Sequence, residues 1–207
     1  MFQDRSEAAH RLVAKLRAYK GKRPLVLAIP RGAAPMAKII ADELSGSLDV
    51  VLVRKLRAPI DPELAIGSVD ESGWTYIADH AASTGADSAY IEAEKQHQLT
   101  IIRQRRMQYT PIKPAEDPAH RIVIVVDDGL ATGATMISAL HGLRNRKPAR
   151  LICAVPVAPP DTLHKVAKLA DEVVCLAAPE NFKAVGQFYA DFPQVEDEEV
   201  MRILQAP

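Results

Sequence analysis

Residues 122–126 read Ile-Val-Ile-Val-Val, an unbroken run of β-branched side chains with no polar position on either face. Such a strand has to be covered on both sides, which calls for the middle of a parallel sheet with helices above and below it. Largely apolar runs at 25–29, 49–54, 151–157 and 172–176 ask for the same environment. Helical spacing separates them. Asp4 and Glu7 form a capping-box pattern, followed by Ala8, Ala9, Leu12, Val13 and Leu16 on one face. A second helix starts near Pro35, a favoured first-turn residue, and carries Ile39, Ile40 and Leu44. Further helices are predicted over 88–109 behind Asp87, then over 135–146, 162–170 and 197–204. The stretch 55–73 is rich in Pro, Gly and charge and touches two short strands, 65–69 and 74–77; Pro111, Pro114 and Pro118 mark a connector. The expected fold is one three-layer α/β/α domain over 1–207. It has a mostly parallel sheet of five to six strands, an antiparallel edge hairpin, and residues 55–118 as an insertion.

Composition narrows the function classes. Lys plus Arg and Asp plus Glu both number 26, so the chain has no global basic field; nucleic acid is disfavoured, and an anionic ligand needs a focused site. The two cysteines, Cys153 and Cys175, lie inside apolar runs without CxxC spacing, and read as buried thiols in a reducing compartment. The six histidines form no metal-ligand pattern. No signal peptide and no membrane-length apolar run is read, so the expectation is a cytoplasmic protein with no membrane partner.

The chemistry gathers where strand 122–126 ends. There the chain places Asp127 and Asp128, then Gly129-Leu130-Ala131-Thr132-Gly133-Ala134-Thr135 and a helix start. In an open α/β sheet, the carboxyl ends of strands are where ligands bind. Thr132, Gly133, Ala134 and Thr135 offer backbone N–H groups and two hydroxyls at a helix N-terminus, an arrangement suited to a phosphate monoester. Carboxylates repel phosphate, so Asp127 and Asp128 suit a neutral polyol beside it, or Mg2+ with its waters. A phosphate cradle next to diol acceptors describes a ribose 5-phosphate site.

The run 123–135, V-I-V-V-D-D-G-L-A-T-G-A-T, resembles the signature of type I phosphoribosyltransferases: four apolar residues, two acids, two spacers, then x-T-G-x-T. Bacterial phosphoribosyltransferase-domain proteins of undefined acceptor share this D-D-G-L-A-T-G-A-T form. The resemblance extends over about residues 22–180. Ile29-Pro30-Arg31-Gly32-Ala33-Ala34 resembles the family's pyrophosphate loop, often built with a cis peptide, and Arg54-Lys55 resembles its basic pair.

The resemblance implies 5-phosphoribosyl 1-pyrophosphate (PRPP) and Mg2+ as ligands, transfer of ribose 5-phosphate to a nitrogenous, nucleobase-like acceptor, and release of pyrophosphate. It implies ribose and 5-phosphate binding by Asp127, Asp128, Ala131, Thr132, Gly133, Ala134 and Thr135. Pyrophosphate falls to Arg31, Gly32, Ala33, Arg54 and Lys55, and the metal to Asp127 and Asp128, directly or through water. Asp127, Asp128 and Lys55 are the catalytic candidates. A mobile loop is expected within 57–73, with Glu63 and Glu71 as candidate bases. An acceptor hood is expected in the tail 178–207, whose aromatic stretch 181–192 is read as packing before stacking. Arg103, Arg105 and Arg106 read as a solvated helix face, and Trp74 as packing. Ala131 stands where 6-oxopurine enzymes carry an acid, which disfavours hypoxanthine and guanine. Gly129 stands where many members have a branched residue. A homo-oligomer is compatible with all of this. Two other readings share the pocket: a non-catalytic sensor of PRPP or a nucleotide, and a phosphorylase-like enzyme acting on a nucleotide or sugar phosphate.

Overall fold

The computed structural model describes residues 1–206. In chain order it contains α1 (Arg5–Lys15), β1 (Leu25–Ala28), α2 (Ala34–Leu44), β2 (Ser47–Val50), β3 (Val53–Arg57), β4 (Ala65–Asp70), β5 (Thr75–Ile77) and α3 (Ser88–Tyr109). There follow β6 (Ile122–Val126), α4 (Ala134–Asn145), β7 (Arg150–Val157), α5 (Pro160–Ala167), β8 (Glu172–Ala177) and α6 (Asp197–Gln205). None of the described helices is long and apolar enough to cross a membrane.

Five strands form an all-parallel sheet in the order β2-β1-β6-β7-β8, with β6 at its centre as its composition demands. Side chains alternate between two cores. Val26, Ala28, Ile124, Val126, Ile152 and Ala154 face the layer containing α1 and α2. Leu25, Leu27, Val123, Val125, Leu151 and Cys153 face the layer containing α4 and α5. From β1 the chain goes one way to β2 and later the other way to β6, so the strand order reverses between β1 and β6. Loops leaving the carboxyl ends of those two strands diverge and open a crevice.

The antiparallel strands do not extend the main sheet's edge. They form a separate three-stranded sheet, β3-β4-β5, packed against α3 and α4. The apolar run 49–54, expected as one strand, is therefore divided between two sheets. β1 ends at Ala28, whose carbonyl accepts the last bond from the Val51 N–H (3.0 Å). The Leu52 N–H then donates to Glu71 Oε2 (3.3 Å), and Val53 pairs with Asp70. Both halves are apolar and buried, so hydropathy could not mark the break. Part of the expected mobile segment 57–73 is strand β4, with Ile66 to Asp70 buried; 58–64 is the loop that connects β3 to β4, and 71–73 belongs to the turn before β5.

Two ties set the site's walls. Ser68 on β4 donates to the Ala134 carbonyl (2.6 Å), fixing the small sheet to the start of α4. At the other side the first residues pair with the tail: Phe2 N–H donates to the Phe188 carbonyl (2.7 Å), and Ala190 N–H to the Phe2 carbonyl (2.8 Å). Both terminal segments therefore lie against the crevice.

Truncation of the central strand should destabilise the chain steeply. Ile124 is fully buried on β6, so Ile124→Ala is expected to cost about 2–5 kcal/mol. Ile60→Ala, at a side chain 89% exposed on the connecting loop, should leave urea unfolding within about 0.5 kcal/mol of the parent.

Candidate active site

The crevice holds a central groove of about 280 Å³. One wall is the loop after β6, the other the loop after β1. Leu130 anchors the first: its side chain is buried and its N–H donates to the Val157 carbonyl (2.9 Å). Thr162 on α5 donates its hydroxyl to the Ala131 carbonyl (2.7 Å). Gly133 takes a left-handed conformation (φ 75°) just before α4, where a Cβ would lie 2.7 Å from Thr162 Cγ2. The N-cap Gly133 has no side chain to cap α4; the Ala134 N–H makes a long bond to Thr132 Oγ1 (3.4 Å), and the first turn as a whole points its N–H groups towards the groove, where an anion would be favoured. Thr132 is exposed and Thr135 half-buried, and both line this space.

Asp127 and Asp128 are half-buried at the groove floor rather than freely exposed. Burial, and then the neighbouring Asp128 charge, hold the Asp127 carboxyl well above the usual carboxylate range. Burial also raises Asp128, against the opposing pull of Arg5. Lys55 lowers both and lines the groove opposite them.

The Pro30–Arg31 peptide is cis, as the resemblance implies. Gly32 follows because two side chains occupy its Cβ position: an added Cβ would lie 2.1 Å from Asp128 Oδ2 and 3.2 Å from Arg5 Nη2. Only glycine lets the β1 loop approach the acids this closely. Gly129 has a comparable reason, since a Cβ there would lie 2.6 Å from Val185 Cγ1 of the tail. Ala33, assigned to pyrophosphate from the sequence, is fully buried just before α2 and lines neither the groove nor the cavity beside it.

Beyond Lys55 and Thr135 the groove continues into a second cavity of about 280 Å³, lined by Arg54, Lys55, Arg57, Arg105 and Glu63. Arg54 is half-buried and donates to Gln98 Oε1 (2.5 Å). Desolvation, then the fields of Arg105 and Arg57, lower its pKa, as expected where cations converge. Four cationic side chains against one acid give this end a positively charged lining.

Several residues here had no sequence signal. Arg105 was read as part of a solvated face, but it reaches this cavity from α3. Arg106, read the same way, donates two bonds to Glu71 (2.8 and 2.6 Å) across the small sheet. That contact holds Glu71 away from the groove, whereas Glu63 lines the cationic cavity.

Arg5 was also missed. Its Nε and Nη2 donate to Asp128 Oδ2 (3.0 and 2.9 Å), and Nη1 donates to the Pro193 carbonyl (2.6 Å). Tyr189 donates its hydroxyl to the Asp128 carbonyl (2.6 Å). The tail aromatics pack on one another, Phe182 on Phe188 and Tyr189 on Phe2 and Phe192, as the packing reading of that stretch holds. Trp74 likewise stacks on His141 at 3.6 Å.

Comparison with known proteins gives a consistent picture. A Mycobacterium tuberculosis protein named only as a phosphoribosyl transferase, with no acceptor specified, is 39% identical over 205 residues. The alignment covers 99% of this chain, and the chain spans 46% of that relative's length. The crystal structure of a Thermus thermophilus protein superposes with a TM-score of 0.82 at 41% identity, covering 99% of this chain and 97% of the other. A purine phosphoribosyltransferase from Pyrococcus horikoshii shares the fold, with a TM-score of 0.51 at 17% identity and 93% coverage of each chain. The phosphoribosyl transferase domain model matches residues 3–193, and on that match and the mycobacterial likeness the chain belongs to the phosphoribosyl transferase domain family.

Proposed function

We propose that the chain binds PRPP with Mg2+ and transfers its ribose 5-phosphate to a nitrogenous acceptor, releasing pyrophosphate. The observation that carries this reading is the continuity of three chemically distinct spaces. The α4 N-terminus suits the 5-phosphate, Asp127 and Asp128 suit the ribose hydroxyls, and the Arg54–Lys55–Arg57–Arg105 cavity suits pyrophosphate. These adjoin one another along a single crevice, the groove and the cationic cavity sharing Pro30, Lys55 and Thr135.

Asp128 keeps Oδ1 for a ribose hydroxyl while Oδ2 is held by Arg5. The acids also provide negative field beside C1′, where positive charge develops as the bond to pyrophosphate lengthens. Lys55 and the arginines stabilise the departing diphosphate. Among the described residues no group of three or more His, Cys, Asp or Glu is arranged to hold a metal unaided. That fits Mg2+, which takes one or two carboxylates and completes its shell with phosphate oxygens and water. Asp127 and Asp128 would hold it, and it would neutralise charge on the leaving group.

Incubation with PRPP, Mg2+ and a panel of acceptors, with pyrophosphate release as the readout, tests the reading. Saturable PRPP binding without turnover on any acceptor would convert it to the sensor alternative, and no binding would remove both.

Asp127→Asn separates binding from stability. A carboxylate–hydroxyl bond contributes roughly 1.5–3 kcal/mol, so PRPP affinity by calorimetry should fall about tenfold or more. The same substitution removes a charge that burial disfavours. Tm of the ligand-free protein should therefore rise, at about 2–4 °C for each kcal/mol gained in a chain of this size. A variant that loses both affinity and Tm would show the acid to be structural.

The pair also sets a pH dependence. Both carboxyls are raised, so the ionised acceptors that ribose needs are lost on acidification above the ordinary Asp value of about 3.9. Stability from the same pair runs oppositely: it is fully present below the unfolded-state pKa and lost as pH rises through the folded-state values. Affinity measured from pH 8 downwards should therefore weaken before pH 4 is reached. A midpoint at the ordinary carboxylate value would contradict the buried-acid account.

A further inference from the structure

An acceptor has to reach C1′ between the ribose acids and the β1 loop. A third cavity, about 400 Å³, shares Arg31, Gly32 and Asp128 with the groove on the side away from the cationic end. The first helix and the tail wall it, through Arg5, Phe192 and Gln194.

This cavity has no aromatic face free to stack on a base. Phe192 is the one ring among its lining residues, and the groove and the cationic cavity have none. The Arg5 guanidinium lies 3.8 Å over the Phe192 centroid, and Tyr189 stacks on that ring at 4.7 Å. Two groups each that close to one centroid occupy opposite faces, so both are taken.

The cavity instead offers cations. Arg31 uses Nη1 on Glu196 (2.9 Å) and lies 3.7 Å from Asp197, both on or beside the exposed first turn of α6. Its Nε and Nη2 have no partner among the described residues. Those two donors form the edge of a guanidinium that pairs bidentately with a planar carboxylate. Arg5 lies beside it, 11% exposed, with its charge balanced by Asp128 and its donors engaged by Asp128 and the Pro193 carbonyl, so the Arg31 edge is the guanidinium edge left for a ligand.

We infer that the acceptor carries a carboxylate, recognised by the Nε–Nη2 edge of Arg31 with Arg5 beside it, and is not a neutral base held by stacking. The inference rests on the phosphoribosyl-transfer reading and specifies its substrate class. The acceptor nitrogen's lone pair forms the bond to C1′ and the C1′–O bond breaks with its electron pair on pyrophosphate; any N–H proton passes to solvent water. In this assignment the backbone of the β1 loop serves pyrophosphate while the Arg31 side chain serves the acceptor.

The test uses matched acceptors differing in the carboxylate: orotate against uracil, nicotinate against nicotinamide, anthranilate against aniline. Each is incubated with the full chain, PRPP and Mg2+, and pyrophosphate release is followed. Turnover is expected for a carboxylated member and at least about a hundredfold less for its neutral partner. Arg31→Lys keeps the charge and loses the planar edge; it should raise KM for that acceptor about tenfold or more with KM for PRPP little changed. Arg31→Gln removes the charge as well as the planar edge and supplies a second variant with at least the same expected rise in acceptor KM. Equal turnover of a neutral partner overturns the inference, as do unchanged acceptor KM values in both variants. PRPP binding with no carboxylated acceptor used overturns it too and leaves the PRPP site standing, whereas absence of PRPP binding removes both.

Discussion

The site depends on one close approach. Asp128 follows the central strand of the main sheet and packs its carboxylate against the backbone of Gly32, in the loop after the neighbouring strand. A half-buried acid in that position needs a counter-charge, since an unpaired buried charge is strongly disfavoured. Arg5 supplies it, reaching across from the first turn of α1. Placing Arg5 there fixes the first helix, and the Pro193 carbonyl that shares its guanidinium fixes the tail. The pairing of Phe2 with Phe188 and Ala190 follows from the same geometry. The two ends of the chain are therefore held against the groove by electrostatics that begin at a single carboxylate.

This arrangement explains why the acids cost stability yet remain. An apolar pair at 127 and 128 would extend the buried strand and remove two raised carboxyl pKa values. Retaining acids at a strand end, where burial works against their charge, is the pattern of groups placed for a ligand. The cationic cavity mirrors it with opposite sign: Arg54 is desolvated among arginines, and like charges gathered without enough acids to neutralise them are relieved by a polyanion. The crevice thus places two buried acids, balanced in part by Arg5 and Lys55, next to an end lined mostly by cations.

The layered sheet was legible from the sequence because buried parallel strands leave uninterrupted apolar runs, and β6, β7 and the capped helices α1 and α3 appear where spacing places them. The β6–α4 loop was legible because acids, small residues and hydroxyls follow one another within nine residues of chain. What escaped was everything that depends on tertiary placement. The 49–54 run hid a change of sheet, since hydropathy is equal on both sides of it. Arg105 and Arg106 are adjacent on α3, but one faces the cationic cavity and the other Glu71, and the helix's weak amphipathicity gave no means of telling them apart. Arg5 looked like an ordinary first-turn residue because its partner lies 123 positions away.

The same distinction bears on how this family can change substrate while keeping its chemistry. The parts proposed to meet ribose and phosphate are backbone amides, glycines and strand-end acids, held by the central sheet and, at Gly32, Gly129 and Gly133, by close contacts that exclude a Cβ. Besides Arg31, Gly32 and Asp128 of the groove, the parts that face the third cavity come from a first helical turn and from the tail, which contribute side chains but no sheet hydrogen bonds to β1 or β6. Substitution at positions such as 5 or 194 alters cavity chemistry without moving the acids, provided Asp128 keeps a counter-charge. The nine-residue loop accordingly identifies the family, whereas the acceptor has to be read from arginines that only the folded chain brings together.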